Sequence, residues 1–449
     1  MRTFPFFSAQ HKTLMHFSTY IRTYPLDEKP ESLLVYSTKR AAVLVLKKEI
    51  IESIEKGTLS SEAQKTLSDL GIIVPDREAE KESMLGLIDG LNARDTGMNV
   101  TVVLNMDCNF ACVYCYEGGM KGRLYMSEDT ADLLIDFIKQ RFTDATKSIN
   151  IDFFGGEPLL SRSLIKYISH AVKSFAEGRD AEYTFSLVSN GSLLKREVAE
   201  ELKALGMQGV KITLDGPAQI HNKYRPFKKG GGSFDAIIRN IKETCDIIKI
   251  GIGGNFDQEN YQRFPELLDY LLEEGLTPDK ISQVKFDAVL KRPAGDTSPA
   301  DYVDGCMSTN EPWLIAAGLY LREEILKRGY STPKIMPMPC QVELKNSYVV
   351  HFDGTLYKCP GFIGKKGFGT GSLREGMTDY SASYKTGIWK NDECLGCEYL
   401  PLCFGGCKYM TYIRDGNVES RDCKKPYLDA SLEALIRQDI KYRRQAKAK

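Results

Sequence analysis

The chain has 449 residues, which on length suggests about three domains and room for a full apolar core. Sixty Lys and Arg balance sixty Asp and Glu, so no overall charge invites nucleic acid or an acidic membrane. MRTFPFFSAQHK lacks a signal-peptide run and the longest aliphatic run, Ala41 to Leu46, is too short to cross a bilayer, so a cytoplasmic location with no membrane or nucleic-acid partner is expected.

Residues 1–95 read as a small α+β unit. SLLVYSTKRAAVLVL gives two β-branched strands, Leu33–Tyr36 and Ala41–Leu46, around a Ser-Thr-Lys turn. Helices follow near Lys47–Lys56 and Ser61–Leu70, Gly71 stops the second, and Ile72-Ile73-Val74 is a short strand. The charged stretch DREAEKE reads as a linker. Across residues 96–300 strands and helices alternate. Candidate strands are Asn99–Leu104, Ile149–Phe154, Thr184–Val188, Val210–Leu214, Ile248–Ile252 and Val284–Val289. A helix after Ser127 carries Leu133, Leu134, Phe137, Ile138 and Phe142 on one face. Strands separated by helices form a parallel sheet with right-handed crossovers, and six such units predict an α/β fold, a partial (β/α)6 TIM-like barrel. Its chemistry would sit on loops at the carboxyl ends of the strands. Residues 301–339 read as a bridge with a helix at Trp313–Arg328. Residues 340–449 are rich in Cys and Gly and weakly periodic, so metal is expected to staple them. The basic tail KYRRQAKAK reads as a solvated end.

Twelve cysteines are many for a reducing compartment, where clustered cysteines bind metal or do chemistry more often than they form disulfides. MDCNFACVYCYEGG spaces Cys108, Cys112 and Cys115 as C-x3-C-x2-C straight after the first barrel strand. Three thiolates on one loop can hold three irons of a [4Fe–4S] cube and leave the fourth open. A structural zinc ion would want a fourth ligand, and no other Cys or His is nearby in sequence. Gly155-Gly156-Glu157-Pro158 ends the second strand and Ser189-Asn190-Gly191 follows the third. LDGPAQIHNKYR, ending in Arg225, follows the fourth. Downstream the pattern is Cys340-x13-Gly354-x4-Cys359, then Cys394-x2-Cys397-x5-Cys403-x3-Cys407, then x15 and Cys423. Cys245, in a helical stretch, reads as a buried small hydrophobe, and Gly230–Gly232 as a flexible loop.

The triplet with these loops in this order resembles the radical S-adenosylmethionine superfamily. The resemblance implies that the open iron chelates the amino and carboxylate groups of S-adenosylmethionine and that reductive cleavage yields a 5′-deoxyadenosyl radical. It further implies that Gly155, Gly156, Glu157 and Pro158 form the motif that contacts the methionine amino group, with Glu157 accepting from it. Tyr114 would pack near the adenine, Ser186 would bind ribose or carboxylate, Ser189 and Asn190 would stand beside the cofactor, and Arg225 would pair with its carboxylate. Asp215 and His221 read as loop-shaping residues. The seven later cysteines resemble the SPASM domain of radical enzymes that modify peptides. That pattern implies two auxiliary [4Fe–4S] clusters, three in all: one on Cys394, Cys397, Cys403 and Cys423, the other on Cys340, Cys359 and Cys407. The second set is one ligand short, so either Cys306 reaches in or one iron is open. Pro360 stands where the related sulfatase-maturing enzymes carry an Asp base, which argues against formylglycine formation.

The N-terminal unit resembles the winged-helix-like peptide-recognition element of ribosomal-peptide maturases, which captures a leader peptide at a sheet edge. The resemblance implies an enzyme that modifies a precursor peptide with a leader sequence, supplied with electrons by a flavodoxin or ferredoxin. The gap beside Cys340, Cys359 and Cys407 points to a thioether between a cysteine sulfur and a carbon. Carbon–carbon crosslinking, dehydrogenation and epimerisation of a peptide are alternatives. A non-catalytic iron–sulfur redox carrier or metal-stapled binding module is the reading from another class.

Overall fold

The computed structural model describes residues 14–115, 117–289 and 311–447, the last five without their side chains. Cys306 therefore lies outside the described residues. They divide into two compact units. The first comprises residues up to Gly90 together with Ile335–Pro339 and Gly387–Gly405; the second comprises Leu91–Lys334, Cys340–Thr386 and everything from Gly406.

In the first unit, β1 (His16–Phe17) and β2 (Ile21–Pro25) precede β3 (Ser32–Ser37) and β4 (Ala42–Lys47), and β5 (Ile73–Val74) pairs with β1. Strands β2, β3 and β4 form an antiparallel sheet in that order. Met15, Val35, Leu46, Ile54, Leu67 and Ile72 fill its core. The DREAEKE stretch is no linker: Arg77–Leu85 is helical, capped by the Asp76 side chain, which accepts from the Glu78 and Ala79 N–H groups. Glu80 on that helix is buried, accepting from Ser18 Oγ (2.6 Å) and Thr19 N–H (2.8 Å) and pairing with Lys39. Gly387–Gly405 packs into the same unit. Fully buried Tyr20 donates its hydroxyl to the Leu395 carbonyl (2.7 Å), Thr38 Oγ1 donates to the Glu398 carbonyl (2.7 Å), and Arg22 pairs with Glu398 while lying over Tyr399.

In the second unit the six predicted barrel strands form as β6 (Gly97–Val103), β7 (Ser148–Phe154), β8 (Glu182–Ser189), β9 (Met207–Thr213), β10 (Lys249–Phe256) and β11 (Ile281–Ala288). All six run parallel, in the sheet order β11-β10-β9-β8-β7-β6. The fold is α/β, a partial TIM-like barrel. Residues alternate along each strand: Ile149, Ile151 and Phe153, or Tyr183, Phe185 and Leu187, bury against the outer helices, while their neighbours face the other side. Helix Glu128–Arg141 starts where Ser127 accepts from the Thr130 N–H (3.1 Å) and buries Leu134, Ile135, Phe137 and Ile138.

Two expectations are corrected. Strand β10 runs four residues past Ile252 through Gly253 and Gly254. These glycines do not break it, because the packing demands them: a Cβ on Gly254 would stand 2.5 Å from the Leu214 carbonyl oxygen and 2.7 Å from the Phe264 and Phe286 rings. The cysteine-rich segment also builds more apolar structure than its weak periodicity suggests. Its β12 (Ser347–Val350) extends the barrel sheet parallel to β6, with β13 (Leu356–Tyr357) antiparallel beyond it. Val349, Tyr357, Phe362, Phe368, Tyr384 and Tyr409 form a core there, so apolar packing holds this segment as well. Among the described residues no helix is long and apolar enough to cross a membrane.

Candidate functional site

Three loops at the carboxyl ends of β6, β7 and β8 are hydrogen-bonded into one collar. The Gly155-Gly156 turn passes against the segment that leads into the cysteine loop, with Gly156 N–H donating to the Asn105 carbonyl (3.0 Å) and Glu157 N–H to the Asp107 carbonyl (2.8 Å). A Cβ on Gly156 would stand 2.1 Å from Asp107 O and one on Gly155 2.5 Å from Asn105 O, so only glycine permits this approach. The Glu157 carboxylate accepts from Leu159 N–H (3.0 Å), Ser189 Oγ (2.8 Å) and Asn190 N–H (2.8 Å). Burial raises its pKa, while these donors and Arg225 favour the charge. Asn190 completes the collar, donating to Asn109 Oδ1 (2.7 Å) and lying 3.9 Å from Cys108 Sγ.

Cys108, Cys112 and Cys115 line a cavity of about 540 Å³. Burial pushes the Cys108 thiol up to about 11 and also raises Cys112, whose rise Arg225 and Lys121 oppose. Lys121 lines the same cavity; burial works against its charge, but all three thiols favour it, and it hydrogen-bonds Cys115. Tyr114 and Arg225 stand in the wall within a buried network. The Tyr114 hydroxyl donates to Asp215 and accepts from Arg225 Nη1 (2.7 Å) and Asn255 Nδ2 (3.0 Å). Asp215 in turn receives the Asn255 N–H (2.7 Å), and its own N–H donates to His221 Nδ1 (3.2 Å). Burial and Arg225 hold the His221 pKa well below its ordinary value, so the ring is neutral. Arg225 Nε is buried with no hydrogen-bond partner.

The positions named from sequence do not all meet the cavity. Gly155, Gly156, Ser189, Asn190, Tyr114 and Arg225 line it. Glu157 and Pro158 lie behind the wall, and the Glu157 carboxylate ties the collar together through the three donors above. Ser186 sits one inward-facing position below Val188, outside the lining, and donates to Asp152. The polar lining residues that sequence reasoning missed include Lys121, Lys211, Asn255, Lys285 and Asp287 from the barrel, and Asp422 and Lys424 from the C-terminal segment. The barrel set had one readable signal: Lys211, Lys285 and Asp287 alternate with apolar residues in strands otherwise rich in Val, Ile and Phe.

Of the later cysteines, Cys407 lines this cavity. Cys340, Cys359 and Cys407 border one apolar cluster, and Cys340 and Cys407 add to the rise that burial gives the Cys359 thiol, to about 12. Asp422 Oδ2 accepts the Cys407 N–H (3.0 Å). Beside Cys359, fully buried Lys358 donates to the Leu344 carbonyl (2.6 Å) and the Ser347 carbonyl, with the Tyr380 ring 4.8 Å away. Cys394, Cys397 and Cys403 belong to the other unit, on the short helices Asp392–Leu395 and Leu400–Cys403 and the turn between them. Cys423 is exposed. Cys245 is half-buried at a helix end and packs against the margin of the barrel core, its Sγ 3.7 Å from the Lys242 carbonyl. No described cysteine is in a disulfide, and no three His, Cys, Asp or Glu side chains among the described residues converge as they would around a single metal ion.

Residues 102–271 match the family model described as the radical SAM superfamily. They form a radical SAM domain. Such a domain implies S-adenosylmethionine and a [4Fe–4S] cluster. The residues present fit that pair: three thiols on one loop beside a buried arginine with an unpartnered Nε, which can take an anionic group. The chain is 30% identical over 178 residues to the Fe-coproporphyrin III synthase of Methanosarcina barkeri, covering 38% of this chain and 41% of that protein. It is 22% identical over 366 residues to the radical SAM cyclopropyl synthase TigE of Paramaledivibacter caminithermalis, covering 74% of this chain and 73% of that protein. In fold it resembles anSMEcpe with bound AdoMet and Kp18Cys peptide (TM-score 0.61, 18% identity, 76% of this chain and 98% of that one). It also resembles Streptococcus suis SuiB bound to S-adenosylmethionine (TM-score 0.53, 15% identity, 92% of this chain and 97% of that one).

Proposed function

We propose that this chain is a peptide maturase that joins a cysteine sulfur of a ribosomally made precursor to a carbon of another residue. The observation that carries the reading is one cavity lined both by the radical-cluster thiols Cys108, Cys112 and Cys115 and by Cys407 of the seven-cysteine segment. When bound, the cluster and S-adenosylmethionine supply a 5′-deoxyadenosyl radical that takes a hydrogen atom from a substrate carbon. Cys108, Cys112 and Cys115 would hold the cluster. The unpartnered Nε of Arg225 would receive the cofactor carboxylate, and Tyr114, Asp215 and Asn255 hold that arginine in place. The glycine turn 155–156 leaves bare backbone at the cavity wall. Closing a thioether removes two hydrogens from the peptide, one as an atom and one as the thiol proton, and leaves one electron that needs an iron–sulfur acceptor. Cys340, Cys359 and Cys407 would hold such an acceptor, and with Cys394, Cys397, Cys403 and Cys423 the chain would carry three [4Fe–4S] clusters. A flavodoxin or ferredoxin would reduce the first.

Two relatives act in the same direction. Kp18Cys peptide is bound by anSMEcpe, and SuiB has been seen with a precursor peptide, SuiA. Leader capture in this chain is assigned to the first unit, where β4 pairs only with β3 among the described strands and exposes Val43 and Val45, an edge to which an extended peptide can add.

The test is anaerobic incubation of reduced, reconstituted enzyme with S-adenosylmethionine and the precursor peptide encoded beside its gene. A mass loss of two hydrogens per crosslink, with alkylation of that cysteine blocked, supports the thioether. The same loss with the thiol still alkylatable means a carbon–carbon bond or dehydrogenation, and unchanged mass with inverted stereochemistry means epimerisation. Absence of 5′-deoxyadenosine would leave a redox carrier.

A further inference from the structure

The cavity contains a slot that the assigned cofactor contacts leave unused. Strand β10 lies between β9 and β11. Across the sheet Gly251 pairs with Lys211 of β9, Gly253 with Lys285 of β11, and Asn255 with Asp287. Gly251 and Gly253 share a face of the strand and carry no side chains, and Gly253 gives the cavity bare backbone for a floor between β9 and β11.

The two walls differ in charge. On β11 the Lys285 ammonium pairs with Asp287 (2.7 Å), which neutralises that side. On β9, Lys211 has neither a hydrogen bond nor an ion pair among the described residues, and it lines the cavity. Its chain lies across Gly253: a Cβ there would stand 2.7 Å from Lys211 Cε, so the glycine is what lets the lysine extend over the floor. The other cavity cations nearby are engaged, Arg225 with Tyr114 and Asp215 and Lys121 with the thiols. Lys424 also lines the cavity, together with the acidic Glu117 and Asp422.

A lysine held over bare backbone, beside an ion pair already closed on itself, is a receptor for one carboxylate through a charge-assisted hydrogen bond; Lys211 is itself exposed, so solvent screens the pairing. We propose that this slot takes an acidic side chain of the substrate peptide, with Lys211 as its charge partner and specificity-determining residue. The inference rests on the maturase reading and adds to it the chemistry of the residue placed beside the radical site.

The test uses reconstituted full-length enzyme with S-adenosylmethionine, titrated by fluorescence anisotropy with two dye-labelled probes, Gly-Glu-Gly-Glu-Gly and Gly-Gln-Gly-Gln-Gly. Wild type should bind the acidic probe about threefold more tightly. Lys211→Gln should remove the preference, Lys211→Arg should keep it, and Lys211→Glu should transfer it to Gly-Lys-Gly-Lys-Gly, all with unchanged thermal midpoint and S-adenosylmethionine affinity. Equal binding of both probes by wild type, a preference that survives Lys211→Gln, or a loss of cofactor affinity in that variant would each overturn the assignment, the last by giving the lysine to the cofactor. Release of 5′-deoxyadenosine by the same preparation is read separately. Its absence sinks the maturase reading, whereas its presence with no probe preference sinks the slot alone.

Discussion

Two cysteine loops of the same kind are held in different ways. Around Cys108–Cys115 the barrel supplies a finished collar, with Glu157 and Asn190 each tying a neighbouring loop to the next and Gly156 seated on the backbone ahead of the first cysteine. Around Cys394–Cys403 the chain has two helices of four residues each, capped by Asn391 at the first, and rests on Tyr20, Arg22 and Thr38 of its own unit. Helices that short have no stability of their own. On the proposed assignment, the first loop is shaped by the barrel before any metal arrives, and the second would depend on its packing and on metal together.

The sharpest way to break this comparison is to remove one thiol from each. Cys112→Ala should abolish 5′-deoxyadenosine formation in reduced enzyme while leaving the melting transition nearly intact, since its loop is held by the collar. Cys403→Ala should keep part of the cleavage but lose the peptide product. Equal cleavage by both variants would refute the division of roles. Next in size is metal removal. After anaerobic chelation, hydrogen exchange at the Gly156 and Asn190 amides should stay slow, and exchange across Cys394–Gly405 should rise by more than about tenfold, read by mass spectrometry. Fast exchange in the collar would mean that it too depends on metal.

The cysteine spacings and the period-2 strands were legible because they lie within a few residues of each other. The grouping of Gly387–Gly405 with the first unit was not, since it rests on contacts such as Tyr20 with Leu395, 375 positions apart. The DREAEKE helix was hidden for a different reason: its burial is polar, through Glu80 with Ser18, Thr19 and Lys39, and no apolar period announces it. Glycines misled at β10 because they stand there for close packing against Phe264 and Phe286 and not for a turn. Glu157 is the instructive case within the site. Its motif marks the right loop, but which way a carboxylate points depends on donors from Ser189 and Asn190, on another strand's loop.

That carboxylate gives the next prediction. Glu157→Gln preserves shape but turns an amide N–H₂ toward at least one of three donors, leaving buried groups unpaired at a cost of about 2–3 kcal/mol. A lowered thermal midpoint with reduced cleavage is expected. If Glu157 instead contacted the cofactor directly, affinity for S-adenosylmethionine would fall with the midpoint unchanged.

The smallest effect belongs to the second loop. Tyr20→Phe deletes only the hydroxyl that donates to the Leu395 carbonyl, in a side chain otherwise fully buried. The ring stays packed, so the loss should be about 1–2 kcal/mol and should appear locally, as faster exchange at the amides around Cys394 and Cys397. Iron content of the purified enzyme separates two ways of holding this loop. If packing shares the task with metal, the variant should load its clusters more slowly than wild type yet reach the same final iron. If metal alone shapes the loop, loading rates will be indistinguishable, and the dependence on Tyr20, Arg22 and Thr38 argued above is wrong.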